Sequence, residues 1–182
     1  MMARASSHGV TKSKAAPGQD AGQDAGYSGT PLAAKLGLKD GQAVVFVALP
    51  EDLGGLAEAR SFASVSLVTN TTDLRLPPRS ADLIHAFFTD AAALRTALPL
   101  FREAISDAGS IWISWPKKTS PKKTSPKKTE KSAKVAGDLG EDAVRHAALA
   151  IELVDIKVCA VDAVWSGLKL VIPRAKRAQH SS

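Results

Sequence analysis

Cysteine is almost missing from this chain: Cys159 is the one copy in 182 residues. A lone thiol can form neither an intrachain disulfide nor a cysteine-based zinc site, and the cytoplasm is the expected compartment. Long apolar runs are also absent. No stretch approaches the roughly 18 residues that a membrane-spanning helix needs. Residues 1–26 read as Ser, Gly, Gln, Asp and Ala without an apolar stretch, so they do not form a secretory signal. Asp20 and Asp24 also fit a basic transit peptide poorly, and the expectation is a disordered tail. The signatures of common chemistries are missing too. There is no P-loop, no Gly-x-Ser-x-Gly and no His-Glu-x-x-His, and no metal site is expected.

What is present is 45% hydrophobic content, enough for one core, and one domain is expected over 27–173. A basic disordered tail is expected over 174–182. The net charge of +6 misleads until it is located. Between Lys117 and Lys134 eight lysines and one acid, Glu130, carry +7, which leaves −1 for everything else. The flanking segments 27–116 and 135–173 hold ten basic and fifteen acidic residues. An acidic fold therefore carries a basic loop.

The order of elements follows from periodicity. Thr30 suits an N-cap and Pro31 the first helical position, opening a short helix over 32–36 that Gly37 closes. Residues 43–49 form an unbroken β-branched apolar run, the mark of a strand covered on both faces, and Pro50 stops it. A weak helix over 53–61 is followed by an alternating, less buried strand over 64–68. Another strand is expected over 81–88, and then Thr89 caps a helix. In that helix Leu94, Leu98, Phe101 and Ile105 make one apolar face. Pro99 should kink or split it near Arg95, and Gly109 should end it before a strand over 110–115. Asp138-Leu139-Gly140-Glu141 has capping-box spacing ahead of a helix whose stripe is Val144, Ala147, Ala148 and Ile151. Segments 153–161 and 165–172 are too closely joined to be anything but antiparallel neighbours. The fold class is α/β: a Rossmann-like three-layer fold, mostly parallel, with a C-terminal antiparallel hairpin.

Three near-copies of a five-residue unit, Pro-Lys-Lys-Thr-Ser/Glu, run from Pro116 to Glu130. Proline in every unit and like-charge repulsion point to an extended, solvated insert over 117–136. The Ser-Pro-Lys-Lys units resemble repeats of histone tails that bind the DNA minor groove. Lys122, Lys123, Lys127 and Lys128 are thus candidate nucleic-acid contacts. The plainer reading is a surface expansion by sequence slippage, since no aromatic or arginine interleaves to stack on bases.

Ligands of doubly wound sheets bind beyond the carboxyl ends of the parallel strands. That rim should gather Trp115, Lys117, Lys118, Asp162, Trp165 and Ser166, aromatic walls with a few polar groups that suit a small anionic ligand or a peptide. The competing reading is that the tryptophans pack the hairpin while Asp162 and Ser166 make its turn. The turn after the first strand, Ala48-Leu49-Pro50-Glu51-Asp52-Leu53-Gly54-Gly55, puts two carboxylates where a phosphate would approach, and its glycines come late. A dinucleotide is not expected there. His85 reads as a core residue, His146 as solvent-facing and Cys159 as a small buried hydrophobe.

Tyr27-Ser28-Gly29-Thr30-Pro31-Leu32, Trp115-Pro116-Lys117-Lys118, the block from Val154 to Asp162, and Trp165-Ser166-Gly167-Leu168-Lys169 together resemble a family of uncharacterised bacterial proteins, a domain of unknown function. The match spans 27–173, and the lysine repeat expands its Trp-Pro-Lys-Lys loop. The resemblance implies boundaries and no activity. More distantly, the stretch from Asp82 to Trp115 with the terminal hairpin is similar to the second half of a class I methyltransferase. That implies a Rossmann-like relic without cofactor, given the missing glycine loop. Three functions are in play. The first is non-enzymatic binding of a small molecule or protein at the carboxyl edge. The others are a degenerate S-adenosylmethionine-dependent methyltransferase-like enzyme and a DNA-associated protein acting through the repeat. No catalytic constellation emerges.

Overall fold

In the computed structural model, residues 31–118 and 137–177 are described. The cap at Thr30, the repeat lysines from Lys122 to Lys128, the N-terminal tail over 1–26 and the last residues, 178–182, lie outside them. Six strands form one sheet in the order β2-β1-β3-β4-β6-β5. They are β1 (Ala43–Val47), β2 (Ser64–Val68), β3 (Ala81–Phe87), β4 (Ile105–Pro116), β5 (Val154–Ala160) and β6 (Trp165–Val171). The first four are mutually parallel, and β6 runs antiparallel to both β4 and β5. The helices are α1 (Leu32–Leu36), α2 (Ala91–Ala104), α3 (Glu141–Leu149) and α4 (Arg174–Arg177), with a 3-10 helix over Glu51–Glu58. The α/β sheet with a closing hairpin is the expected architecture.

Strand alternation sends side chains to two unlike layers. On the first face Val45, Val47, Ile84, Ala86, Ile111, Ile113, Trp115, Leu168 and Leu170 meet Leu94, Leu98 and Phe101 of α2 and Val144 and Ala148 of α3. On the second, Val44, Phe46, Leu83 and Trp112 meet Ala33 and Leu36 of α1 and Leu56 of the 3-10 helix. Trp112 Nε1 donates to the Leu36 carbonyl at 2.7 Å, fastening α1 to the middle of β4. Gly37, left-handed at φ 77°, closes α1 as its sequence implies.

Several boundaries differ from the sequence reading. Pro31 is the N-cap of α1, one place later than the Thr30 expected. Asp90, not Thr89, caps α2, its carboxylate accepting from Ala92 N–H at 2.8 Å. The helix runs unsplit through Pro99, because the residue four places back, Arg95, is exposed and water can serve its carbonyl. It ends at Ala104, and Ile105 already pairs with Ala81 at the start of β4. Gly109 is therefore not a helix terminator. It sits in a register break of β4, where an added Cβ would lie 2.6 Å from Ile105 Cγ1 and 2.8 Å from the Asp82 carbonyl. Asp138 does not cap α3, whose N-cap is Gly140 without a side-chain bond. Its carboxylate instead accepts from Ala91 N–H at 3.0 Å, and its own N–H donates to the Thr89 carbonyl at 3.1 Å. Where a tail was expected from 174, Arg174–Arg177 form α4, held by Arg177 Nε on the Ile172 carbonyl and by the Lys176–Glu152 pair.

Candidate functional site

The chain leaves β1 for β2 on one side and returns past β1 to β3 on the other. The 3-10 helix after β1 lies on the second face and α2 after β3 on the first. In doubly wound sheets, connections that diverge to opposite faces place the ligand crevice above the carboxyl ends at the switch point, which here falls between β1 and β3. At the β1 exit Ala48 adopts φ 52°, a left-handed conformation that costs an alanine about 1–2 kcal/mol. Its side chain is exposed, while its N–H donates to the Val68 carbonyl of β2 at 2.7 Å. Among the described residues the other two non-glycine residues with positive φ are Arg79 and Glu152, both in turns that precede strands. Strain of this kind at a carboxyl end is where a glycine-rich loop would bend.

Glu51 and Asp52 are exposed in the first turn of the 3-10 helix beside this bend. At the end of β2 stands Asn70, exposed, its amide oxygen accepting from Thr72 N–H at 3.3 Å. Across the crevice β3 ends in Phe87, which Phe88 follows, both buried, and then the half-buried Thr89. Gly54 and Gly55 have open space around them and ordinary φ, so nothing about them serves a close backbone approach.

The residues expected along the rim separate into two groups. Lys117, Asp162 and Trp165 do meet. Lys117 Nζ donates to the Asp162 carbonyl at 2.5 Å, and Lys117 N–H donates to the Val164 carbonyl at 2.8 Å. The Asp162 carboxylate is taken up by Val164 N–H at 2.7 Å and Trp165 N–H at 2.6 Å, so it shapes the hairpin turn. Trp165 packs edge-on against Phe87, ring centres 5.1 Å apart. Trp115 is not part of this group. It pairs with Ser166 while Trp165 pairs with Pro116, and that one-residue offset sends the two indoles to opposite faces. Trp115 is buried in the α2/α3 core, Ser166 is half-buried and Lys118 is exposed.

Beneath Phe87 lies a pair that the sequence reading did not assemble. His85 Nε2 and Ser114 Oγ are 2.8 Å apart and both side chains are fully buried. His85 Nδ1 has no partner among the described residues. Burial lowers the imidazole pKa to about 3, so the ring is neutral. The Phe87 ring covers it at 4.4 Å. Position 167 is glycine because a Cβ there would press on Ser114 Oγ, Val161 and Trp112 at 3.1–3.3 Å. The histidine is thus a core residue, as expected, and too deep to act on a ligand. His146 is exposed. Cys159 is half-buried rather than fully inside, and burial raises its thiol pKa, so it is not a reactive thiolate. The described residues hold no cluster of three metal-ligating side chains and no helix able to cross a membrane.

No family model matches the chain, and no curated protein does. Solved structures do. A SAM dependent methyltransferase from Aquifex aeolicus aligns over 78% of this chain and 88% of its own, at TM-score 0.56 and 16% identity. The fold is that of SAM-dependent methyltransferases. The magnesium protoporphyrin IX methyltransferase of Synechocystis PCC 6803, with bound SAM, covers 78% and 74% of the two chains at TM-score 0.53 and 10% identity. The CcbJ methyltransferase from Streptomyces caelestis covers 78% and 86% at TM-score 0.52 and 8% identity. At such identities the methyltransferase-like fold is what is shared.

Proposed function

We propose that this domain, spanning 27–173, binds S-adenosylmethionine or its demethylated product at the switch point between β1 and β3. The observation that carries the reading is Ala48, exposed and left-handed at the β1 exit, in a sheet of methyltransferase-like topology. The local charge selects among nucleotides. Two carboxylates, Glu51 and Asp52, repel a pyrophosphate but attract the sulfonium and ammonium of S-adenosylmethionine. Asn70, about 20 residues beyond the bend, stands where such sheets place a ribose-binding side chain. This favours the methyltransferase-like reading over a site for an unrelated small molecule or protein.

When bound, the cofactor supplies a methyl group on cationic sulfur to a nucleophile. Glu51 and Asp52 are given over to the cations of the cofactor in this reading, and other titratable groups near the rim are already engaged. Asp90 and Asp138 cap α2, Asp162 holds its turn, Lys117 is tied to a carbonyl and His85 is sealed in. In this reading the domain binds and positions the cofactor, and the acceptor arrives already nucleophilic. Titration calorimetry of the full chain with S-adenosylmethionine, S-adenosylhomocysteine and ATP tests this. Saturable heat with the first two and none with ATP is expected. Absence of heat with both adenosyl ligands at about 1 mM, an affinity weaker than about −4 kcal/mol, overturns it.

A further inference from the structure

Four lysines converge around the C-terminal end of α1, on the second face of the sheet. Lys157 of β5 and Lys169 of β6 sit directly opposite each other in the antiparallel ladder, and Lys169 in turn pairs with Trp112 of β4. Lys157 Nζ reaches across to donate to the Lys35 carbonyl at 3.0 Å. Lys169 Nζ lies 3.5 Å from the point where a side chain on Gly37 would begin. Burial, and then the charges of Lys157 and Lys39, push the Lys169 ammonium pKa below its ordinary value.

Like charges facing each other across strands destabilise a sheet. Such a pair is usually relieved by a nearby carboxylate, and here none serves. Among the described residues no acid lies within 4.0 Å of Lys35, Lys39, Lys157 or Lys169. Asp40, next in sequence to Lys39, accepts from Ser61 N–H at 2.8 Å. The cations around α2, α3 and α4 behave differently: Arg102 and Lys176 pair with Glu152, and Arg145 pairs with Glu141 and Asp155. In a fold that is acidic outside its insert, a patch of one sign without counter-charge is held against its own repulsion.

We propose that Lys35, Lys39, Lys157 and Lys169 form a binding surface for the phosphate backbone of a nucleic acid. Lys35 and Lys169 are half-exposed and Lys39 and Lys157 exposed, spread over α1, the turn that follows it, β5 and β6. Neighbouring strands lie about 4.8 Å apart, so flexible lysine stems can spread to bracket successive phosphates. The field continues toward the carboxyl edge, because Lys157, Lys35 and Lys117 all act on the Cys159 thiol. In sequence, Lys117 also begins the segment that carries eight lysines to Lys134. The surface uses none of the crevice residues and stands whether or not an adenosyl ligand binds.

Fluorescence anisotropy of the full chain with a labelled single-stranded oligonucleotide and its duplex, over a salt series, tests the proposal. Changing the four lysines together to glutamine should weaken binding at least tenfold. It should also flatten the slope of log K against log salt by about 3, at roughly 0.7–0.9 per phosphate contact. Arginine at the same four positions should preserve both values, and the two oligonucleotides separate single-strand from duplex binding. The glutamine variant should melt at or above the parent temperature, since repulsion has gone. Lys39→Gln and Lys157→Gln, both at exposed positions, give the same reading one charge at a time. An unchanged slope overturns the proposal, as does a loss seen only when the lysines of the 117–134 segment are replaced. Displacement of the oligonucleotide by polyglutamate, or by inorganic phosphate at equal phosphate concentration, also overturns it by assigning the patch to acidic proteins or to single anions.

Discussion

The two faces of the sheet are built on different terms. The first is a deep apolar layer in which α2 and α3 bury Leu94, Leu98, Phe101 and Val144, with ion pairs on the helices' outer sides. The second is thin. A five-residue helix and a 3-10 helix cover only part of it, and the rest holds the buried His85–Ser114 pair and the lysines without carboxylates. Stability is concentrated on one side, and polar features that a folding core does not need on the other. Loops and thinly covered faces are where binding groups can be placed without dismantling a core.

That contrast can be broken by substitution. Phe101→Ala, on the first face, should cost about 3–5 kcal/mol in a denaturant titration, the full cavity penalty. The second face should answer to pH. His85 in the folded chain has a pKa lowered to about 3, so the unfolded chain binds a proton first. Stability is complete above pH about 6.5 and falls by up to about 1.4 kcal/mol per unit as pH drops toward 3. His85→Phe should remove that part of the slope, measured by melting across pH 3–7. Gly167→Ala should cost about 1–3 kcal/mol by overpacking the same pocket. The smallest effect sharpens the functional side. Ala48→Gly relieves a left-handed alanine and should stabilise the chain by about 1 kcal/mol while leaving adenosyl affinity intact.

The sequence displays whatever depends on local pattern. The apolar run of β1, the stripe Leu94-Leu98-Phe101 and the short hairpin connection are each visible within a dozen residues, and the sheet follows from their order. What it conceals depends on partners far along the chain. Ile105 continues the helical spacing of α2, yet it is β-branched and pairs with Ala81 of β3. Asp138 carries a capping-box pattern beside α3 but finds Ala91 of α2, 47 positions away. The two tryptophans part because β4 and β6 are offset by one residue, a register no single segment records. The four lysines are separate single letters until α1 is laid against the hairpin.

The double tie of Asp138 to Thr89 and Ala91 has a consequence for how this protein can change. Both ends of the connection that carries the lysine repeat, Lys118 and Gly137, are fixed by bonds within a few residues of them. Lengthening a tethered loop costs only about 0.6 kcal/mol per doubling. Repeat units can be gained or lost between those anchors with little effect on folding, so charge in this segment is free to drift in dosage from one descendant to the next.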